Sequence, residues 1–332
     1  GAVCMNIIGK MGTTPNTSLL GAIVAMLVAR IPINACLKYC NLERQNLLQT
    51  IASAAGFSAA NCGFIAVAFV LLITVYLILS GLPAIREIGL VDFLFGKTWD
   101  STNKTDPQFG ILPFILTSIY GTAGAILIGV PIGFMTAVFL AKVAPPKVAA
   151  VVRPAVDLLA GIPSVVYGFF GLVVLVPFVR DNIGGHGNSM LTASLLLGIM
   201  ILPTIITVSE SAIRAVPESY YEGSLALGAT HERSVFRTIV PAAKSGIMAG
   251  IILGVGRAIG ETMAVIMIAG NQPRMPAGLL KGVRTLTANI VMEMGYAADL
   301  HREALIATAV VLFVFILLIN MLFSALQGRS KE

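Results

Sequence analysis

The stretch KSGIMAGIILGVGRAIGETMAVIMIAGN, from Lys244 to Asn271, decides the fold of this protein. Residues 245–270, about 26 in number, are long enough to cross a bilayer as a helix. Arg257 and Glu261 are the only charged residues among them. An ionised side chain at membrane depth costs about 2.5–3.5 kcal/mol or more, so such residues face a protein interior or a watery path.

The four-residue spacing of Arg257 and Glu261 places both side chains on one face of the predicted helix. Two interpretations are open. The pair is either a structural ion pair that fixes helix packing, or a solute site in which Arg257 binds an anion and Glu261 restrains or gates it. Ionisable residues inside a membrane favour the second interpretation.

The composition indicates that a membrane surrounds this helix. Of the 332 residues, 57% are hydrophobic and only 11% are charged, and the mean hydropathy is +0.90. These values exclude an ordinary soluble domain and predict an all-α polytopic membrane protein. The net charge of +6 is scattered over loops, which fits anionic membrane lipid rather than nucleic acid.

Hydropathy predicts six membrane spans, at residues 63–82, 112–142, 156–179, 189–208, 245–270 and 303–326. The second is long enough to tilt or to break at Pro131, and the third contains Pro163. A possible extra span lies at residues 18–33. Glycines in the second and fifth spans provide small faces for close helix packing: Gly121, Gly124, Gly129, Gly133, Gly246, Gly250, Gly254 and Gly256.

The cysteines divide the chain into two regions. All four, at positions 4, 36, 40 and 62, fall before residue 63. None has the His or Cys company of a metal site, so no metal is predicted. We therefore expect a domain boundary near residue 62, with residues 1–62 preceding a membrane domain at 63–332.

The segment at residues 209–244 is the most patterned loop. It carries four acids and four bases around a helical stretch that Pro217 opens and Gly228 breaks. The pattern predicts a short amphipathic helix outside the bilayer, a glycine turn and a second helix. Such a long connector indicates a docking partner, although a solvated loop is the alternative.

Residues of this loop resemble the signature of ATP-binding-cassette (ABC) importer permeases, which is Glu-Ala-Ala, three residues, Gly, nine residues, Ile-x-Leu-Pro. The matching positions are Glu222, Gly223 and Ser224, then Gly228, then Thr238-Ile239-Val240-Pro241. The spacing is kept, while both alanines and the Ile and Leu are replaced. The resemblance implies that the loop forms a coupling helix that fits a cleft on an ATPase subunit.

A longer resemblance covers residues 63–332. The stretches LLAGIPSVVYGFFGLVV, GNSMLTASLLLGIMILPTII and GRAIGETMAVIMIAGN look like phosphate importer permeases of the PstC type. This resemblance implies a six-helix type I ABC importer permease in the bacterial plasma (inner) membrane. It also implies a PstA-type partner permease, a PstB-type ATPase dimer and a PstS-type phosphate-binding protein, with Arg257 and Glu261 serving phosphate passage.

The chemistry of arginine agrees with that role. Its guanidinium stays charged at any biological pH and offers planar, bidentate donors to a phosphate. Glu261 would then compete with the substrate for Arg257, or act as a structural counter-ion.

Residues 1–62 instead look like the start of an oligopeptide-transporter (OPT) protein, through MGTTPNTSLLGAIVAMLVARIP and NLERQNLLQTIASAAGFSAAN. The chain is thus interpreted as a fusion of two fragments. One alternative function is therefore an ion-coupled secondary carrier, and another is a non-functional fusion.

The sequence predicts no catalytic residues and no cofactor. No GxxxxGK[ST] motif is present, so ATP hydrolysis is expected in a partner subunit. The three histidines lie in predicted loops without neighbouring nucleophile signals. A third alternative, an intramembrane enzyme, would use Glu261 as acid or base.

Overall fold

The computed structural model describes residues 44–101, 103 and 107–328. Side chains are described from residue 63 to 322, apart from those gaps, and at 325. The possible extra span at 18–33 and the cysteines at 4, 36 and 40 lie outside the described residues. The chain divides into two units between Ile73 and Thr74, and the packing described here is that of the described residues from Thr74 onward.

The described chain is almost entirely helical. Its elements in order are α1 Arg44–Ile88, α2 Leu90–Phe95, β1 Trp99–Asp100, β2 Gln108–Phe109, α3 Leu112–Val138, α4 Pro146–Gly161, α5 Ser164–Phe170, α6 Val176–Asn182, α7 Met190–Arg214, α8 Glu218–Ala226, α9 His231–Ser234, α10 Val240–Ala242, α11 Lys244–Gly260, α12 Met263–Ile268, α13 Leu286–Glu293 and α14 Asp299–Gly328. Three π-helical turns, Phe139–Val143, Gly171–Leu175 and Val235–Ile239, extend α3, join α5 to α6, and join α9 to α10. The two strands pair antiparallel, with Trp99 opposite Phe109.

Five helical segments are long and apolar enough to cross a membrane: Gly63–Ile88, Leu112–Val143, Ser164–Asn182, Met190–Arg214 and Asp299–Leu322. A sixth candidate is a bent pair, His231–Ala242 and Lys244–Gly260, whose axes meet at 71°. The predicted all-α polytopic fold is confirmed. Helix α1 runs without interruption through Cys62, and the domain boundary near that residue stays a prediction.

The third predicted span, 156–179, was placed wrongly. Helix α4 ends at Gly161, and the span begins at Ser164. Pro163 lacks an N–H and disfavours a helical conformation in the residue before it, and Ile162 is accordingly extended, with φ −69° and ψ 126°. Pro131, by contrast, lies inside the continuous helix α3 and does not break it.

The fourth span extends beyond its predicted end at residue 208. Helix α7 continues to Arg214, because the polar residues of its last turns, Glu210 and Arg214, bind partners elsewhere in the protein. The loop predicted at 209–244 is correspondingly shorter, since both of its ends are helical and only 215–217, 227–230 and 243 connect the helices.

Helix α7 is the centre of the bundle. Its Ile201 and Ile205 are fully buried between glycine-bearing faces of α3 and α11. A methyl group built on Gly129 or Gly133 would meet Ile201 or Ile205 at 2.7–3.0 Å, and one built on Gly254 would meet Ile205 at 2.9 Å. These glycines therefore provide the close helix packing that the sequence predicts.

Candidate functional site

The helix that carries Arg257 and Glu261 is broken between them. Helix α11 ends at Gly260, and Glu261 is extended, with φ −69° and ψ 128°. The Glu261 carboxylate accepts hydrogen bonds from the backbone N–H groups of Thr262 at 3.1 Å and Ala264 at 3.2 Å. The prediction that both side chains share one face of a continuous 245–270 helix is therefore wrong, because the carboxylate binds the backbone that follows it.

Arg257 is half-buried in the last turn of α11. It lies within electrostatic range of the Tyr167 phenol, whose hydroxyl donates to the Leu159 carbonyl at 2.8 Å. Within the described residues, Arg257 forms no ion pair or hydrogen bond. The structural ion pair between Arg257 and Glu261, one of the two interpretations of the sequence, is therefore not formed within the described residues.

A small cavity of about 10 Å³ lies beside Glu261, which is room for about one water molecule. Its polar lining consists of Glu261 and four hydroxyl side chains, Thr117, Ser118, Thr122 and Thr285. Two hydrogen bonds tie its walls together. The backbone N–H of Leu286 donates to the Ser118 hydroxyl at 3.1 Å, and the Thr287 hydroxyl donates to the Glu261 carbonyl at 3.2 Å.

The predicted coupling segment has the expected helix, turn and helix. Helix α8 begins after Pro217, the chain turns at Gly228 with φ 82°, and α9 follows Thr230, whose hydroxyl accepts from the Arg233 N–H. The apolar residues of α8 are spread around the helix and do not form one face, so its predicted amphipathic character is wrong. Among the signature residues, Glu222, Gly223, Gly228 and Pro241 are exposed, and Ser224 is half-buried.

The segment is fastened to the end of the second span. Lys142 forms a 2.9 Å ion pair with Glu218 and lies 5.5 Å from the centre of the Tyr221 ring. Tyr221 is hydrogen-bonded to His231 at 2.7 Å, so α8 and α9 are held together. The turn leaves the apolar side chain of Leu227 92% exposed.

A charged cluster at the end of α7 was missed by sequence reasoning. The carboxylate of Glu210 accepts from Arg153 at 2.7 Å and from Arg214 at 2.9 Å. Both arginines also donate to the Leu140 carbonyl in the π-helical turn. The four-residue spacing of Glu210 and Arg214 predicts an ion pair on one helix face, whereas the ion pair with Arg153 depends on the tertiary fold.

A second missed cluster surrounds Glu293, which is 5% exposed. Its carboxylate accepts hydrogen bonds from Trp99, Ser101 and His301 at 2.8–3.0 Å and forms an ion pair with Arg284. Burial alone would raise the pKa of this carboxyl, but these donors together hold the pKa below its ordinary value. The cluster joins β1 to the segment before α13 and to α14.

Comparison with known proteins identifies relatives of the chain. The family described as the binding-protein-dependent transport system inner membrane component matches residues 129–332. A probable ABC transporter permease protein of Bacillus subtilis, YqgH, is 39% identical over 275 residues, which are 81% of this chain and 89% of that protein.

Two further relatives are phosphate transport system permease proteins PstC. The one from Haemophilus influenzae is 34% identical over 300 residues, covering 83% of this chain and 93% of the relative. The one from Mesorhizobium japonicum is 35% identical over 248 residues, covering 68% and 75%. The resemblance of residues 1–62 to oligopeptide transporters finds no support in these comparisons.

Solved structures share the fold. A bacterial alginate ABC transporter aligns with a TM-score of 0.57 at 17% identity, over 85% of this chain and 97% of its own. The MetNI methionine ABC transporter aligns with a TM-score of 0.51 at 20% identity, over 67% and 94%.

Proposed function

The chain belongs to the family of binding-protein-dependent transport system inner membrane components, and on that premise we propose that it forms half of the membrane path of an ATP-driven phosphate importer. It is a multi-pass inner-membrane permease subunit of an ABC importer. Phosphate as substrate is supported by relatives named for phosphate transport. The OPT-like carrier is not favoured by these matches.

The observation that carries the proposal is the state of Arg257. This half-buried guanidinium has no anionic partner among the described residues, since Glu261 is held by backbone N–H groups instead. An unpaired buried charge is costly, and an oxyanion passing the broken helix would supply the missing counter-charge through bidentate hydrogen bonds. Arg257 is the proposed anion ligand, and Glu261 fixes the break beside it.

The assembly that this function requires contains further subunits. We expect a PstB-type ATPase dimer to hydrolyse ATP, a PstA-type permease to form the other half of the path, and a PstS-type protein to deliver phosphate. The exposed turn at Gly228, with Leu227 beside it, is the proposed contact with the ATPase. The ion pair between Lys142 and Glu218 would connect that contact to the second span.

The test is phosphate uptake by proteoliposomes that contain the chain with these three partners. Arg257→Ala and Arg257→Gln should abolish ATP-dependent uptake, because each removes the charged ligand, and Arg257→Lys should transport poorly. Membrane level and ATPase co-purification should stay normal. Arg180→Gln is the matched control, since this exposed arginine pairs only with its neighbour Asp181. Full uptake by Arg257→Ala would refute the assignment.

A further inference from the structure

Thr122 differs from three other threonines in the helices of this protein. Thr117, Thr136 and Thr308 each donate their hydroxyl to the carbonyl four residues earlier, at 2.7–2.8 Å. The hydroxyl of Thr122 makes no hydrogen bond within the described residues, although the residue is only 7% exposed. Among the described residues, the enclosed side-chain atoms that lack a partner are Ser209 Oγ, Asn271 Oδ1 and Asn289 Nδ2, so the Thr122 hydroxyl is still accessible to water or to a partner absent from the folded chain alone.

The surroundings of Thr122 show where that partner would lie. Thr122 lines the cavity beside Glu261, together with Ser118 one turn earlier. The Ser118 oxygen accepts from the Leu286 N–H, which leaves the hydrogen of its own hydroxyl available. Two hydroxyl side chains of α3 therefore line the same cavity as Glu261, which lies directly after the end of α11 that carries Arg257.

Gly121 gives a second, independent observation. It is buried, yet a methyl group built on it would meet no atom within 4 Å. Its neighbours along the same helix differ, because a methyl on Gly124 would meet Ser194 at 2.5 Å and one on Gly133 would meet Ile205 at 3.0 Å. Helix packing therefore explains Gly124 and Gly133 but not Gly121, whose missing side chain leaves space in the cavity wall.

Hydroxyl donors and one carboxylate suit a protonated oxyanion. Phosphate at neutral pH still carries a proton, so one of its oxygens donates to Glu261 while others accept from Thr122 and Ser118. Neutral donors replace hydration water without holding a passing anion as tightly as a second arginine would, since hydrogen bonds between charged partners are roughly twice as strong.

We propose that Thr122 donates a hydrogen bond to the transported oxyanion, and that the cavity it shares with Gly121 and Glu261 is a closed part of the wall that this chain contributes to the anion path. This inference rests on the proposed function and extends it to residues of α3. In the present conformation the cavity holds about one water molecule. Passage of phosphate requires α3 to separate from the broken α11–α12 segment.

The experiment compares substitutions in the complete assembly, with its partner permease, ATPase and binding protein, in proteoliposomes. Thr122→Val removes the hydroxyl and keeps the shape, and we expect ATP-dependent phosphate uptake to fall about tenfold or more, as for a lost hydrogen bond to a charged ligand. Thr122→Ser should restore uptake. Thr136→Val is the matched control, because this hydroxyl lies on the same helix outside the cavity and already donates to the Ile132 carbonyl.

Gly121→Ala tests whether transport needs the open space beside Gly121, independently of the Thr122 hydroxyl. Alanine favours a helix over glycine and meets no neighbour here, so thermal stability should be retained while uptake falls. Binding-protein-stimulated ATP hydrolysis should persist in Thr122→Val and Gly121→Ala, a result that a general folding defect would not give.

The outcomes separate this inference from the proposed function. Without phosphate uptake by the wild-type assembly, both are overturned. If the wild type transports phosphate and both Thr122→Val and Gly121→Ala transport at its rate, only the inference about the cavity is overturned. Equal losses in Thr136→Val and Thr122→Val would likewise overturn the role of the Thr122 hydroxyl.

Discussion

Replacing Glu293 by Gln should destabilise the protein severely. The carboxylate is 5% exposed and has four donors around it, from Trp99, Ser101, His301 and Arg284. Glutamine keeps the shape but turns one acceptor oxygen into an NH₂ group that faces these donors. It also leaves the Arg284 guanidinium, itself 9% exposed, without its counter-charge. Breaking a buried ion pair in this way costs about 3–5 kcal/mol.

The effect should depend on pH with a definite sign. The folded protein holds the pKa of Glu293 below the ordinary value of 4.5, so its ionised form stabilises the fold above that value. The contribution is lost as the pH falls through the lower folded-state pKa. The gap in stability between wild type and Glu293→Gln should therefore be constant near neutrality and shrink below about pH 4.5.

The assay is unfolding of the detergent-solubilised chain, followed by tryptophan fluorescence of Trp99, the only tryptophan. Glu87→Gln makes the same chemical change at an exposed position and should shift the free energy of unfolding by no more than about 0.5 kcal/mol. A shift below about 1 kcal/mol in Glu293→Gln, or a gap that is unchanged at low pH, would refute the reasoning.

Two further predictions concern the coupling segment and the amino-terminal region. Gly228→Val should block transport without changing phosphate affinity, because a β-branched residue is strained at φ 82°. Glu222→Lys should weaken ATPase co-purification by reversing a charge at the interface. Gly223→Ala, which restores the signature alanine, is the control, and normal uptake and co-purification in both Gly228→Val and Glu222→Lys would mean that the segment is only a solvated connector. A chain that begins with a new Met before Gly63 should assemble and transport at least as well as the full chain, and its degradation would show that residues 1–62 belong to the fold.

The sequence predicts the helices of this protein better than the places where they stop. Hydropathy identifies the segments near Leu112–Val143, Met190–Arg214 and Asp299–Leu322, because bilayer thickness fixes their length. It does not detect the break at Glu261, since every neighbouring residue is compatible with a helix and the break depends on a carboxylate that binds the backbone N–H groups after it.

The candidate site likewise contains one residue that the sequence identifies and others that only the structure identifies. Arg257 stands out in the sequence because charge is rare at membrane depth. Thr122 and Gly121 do not, because a threonine and a glycine are ordinary in a membrane helix and only the tertiary structure distinguishes a free hydroxyl or an unfilled space. The donors to Glu293 are similarly out of reach, because Trp99 lies 194 positions away along the chain.

The ion pair between Lys142 and Glu218 attaches the end of the long helix α3 to the coupling segment. Thr122 and Lys142 lie 20 residues apart on one continuous helical rod, a separation of about 30 Å at 1.5 Å per residue. One end of this rod is attached to the exposed turn, and the wall of the anion cavity lies near the other. A continuous helix is more rigid than a loop, so α3 is the direct covalent connection through which a movement of the exposed turn would reach the cavity.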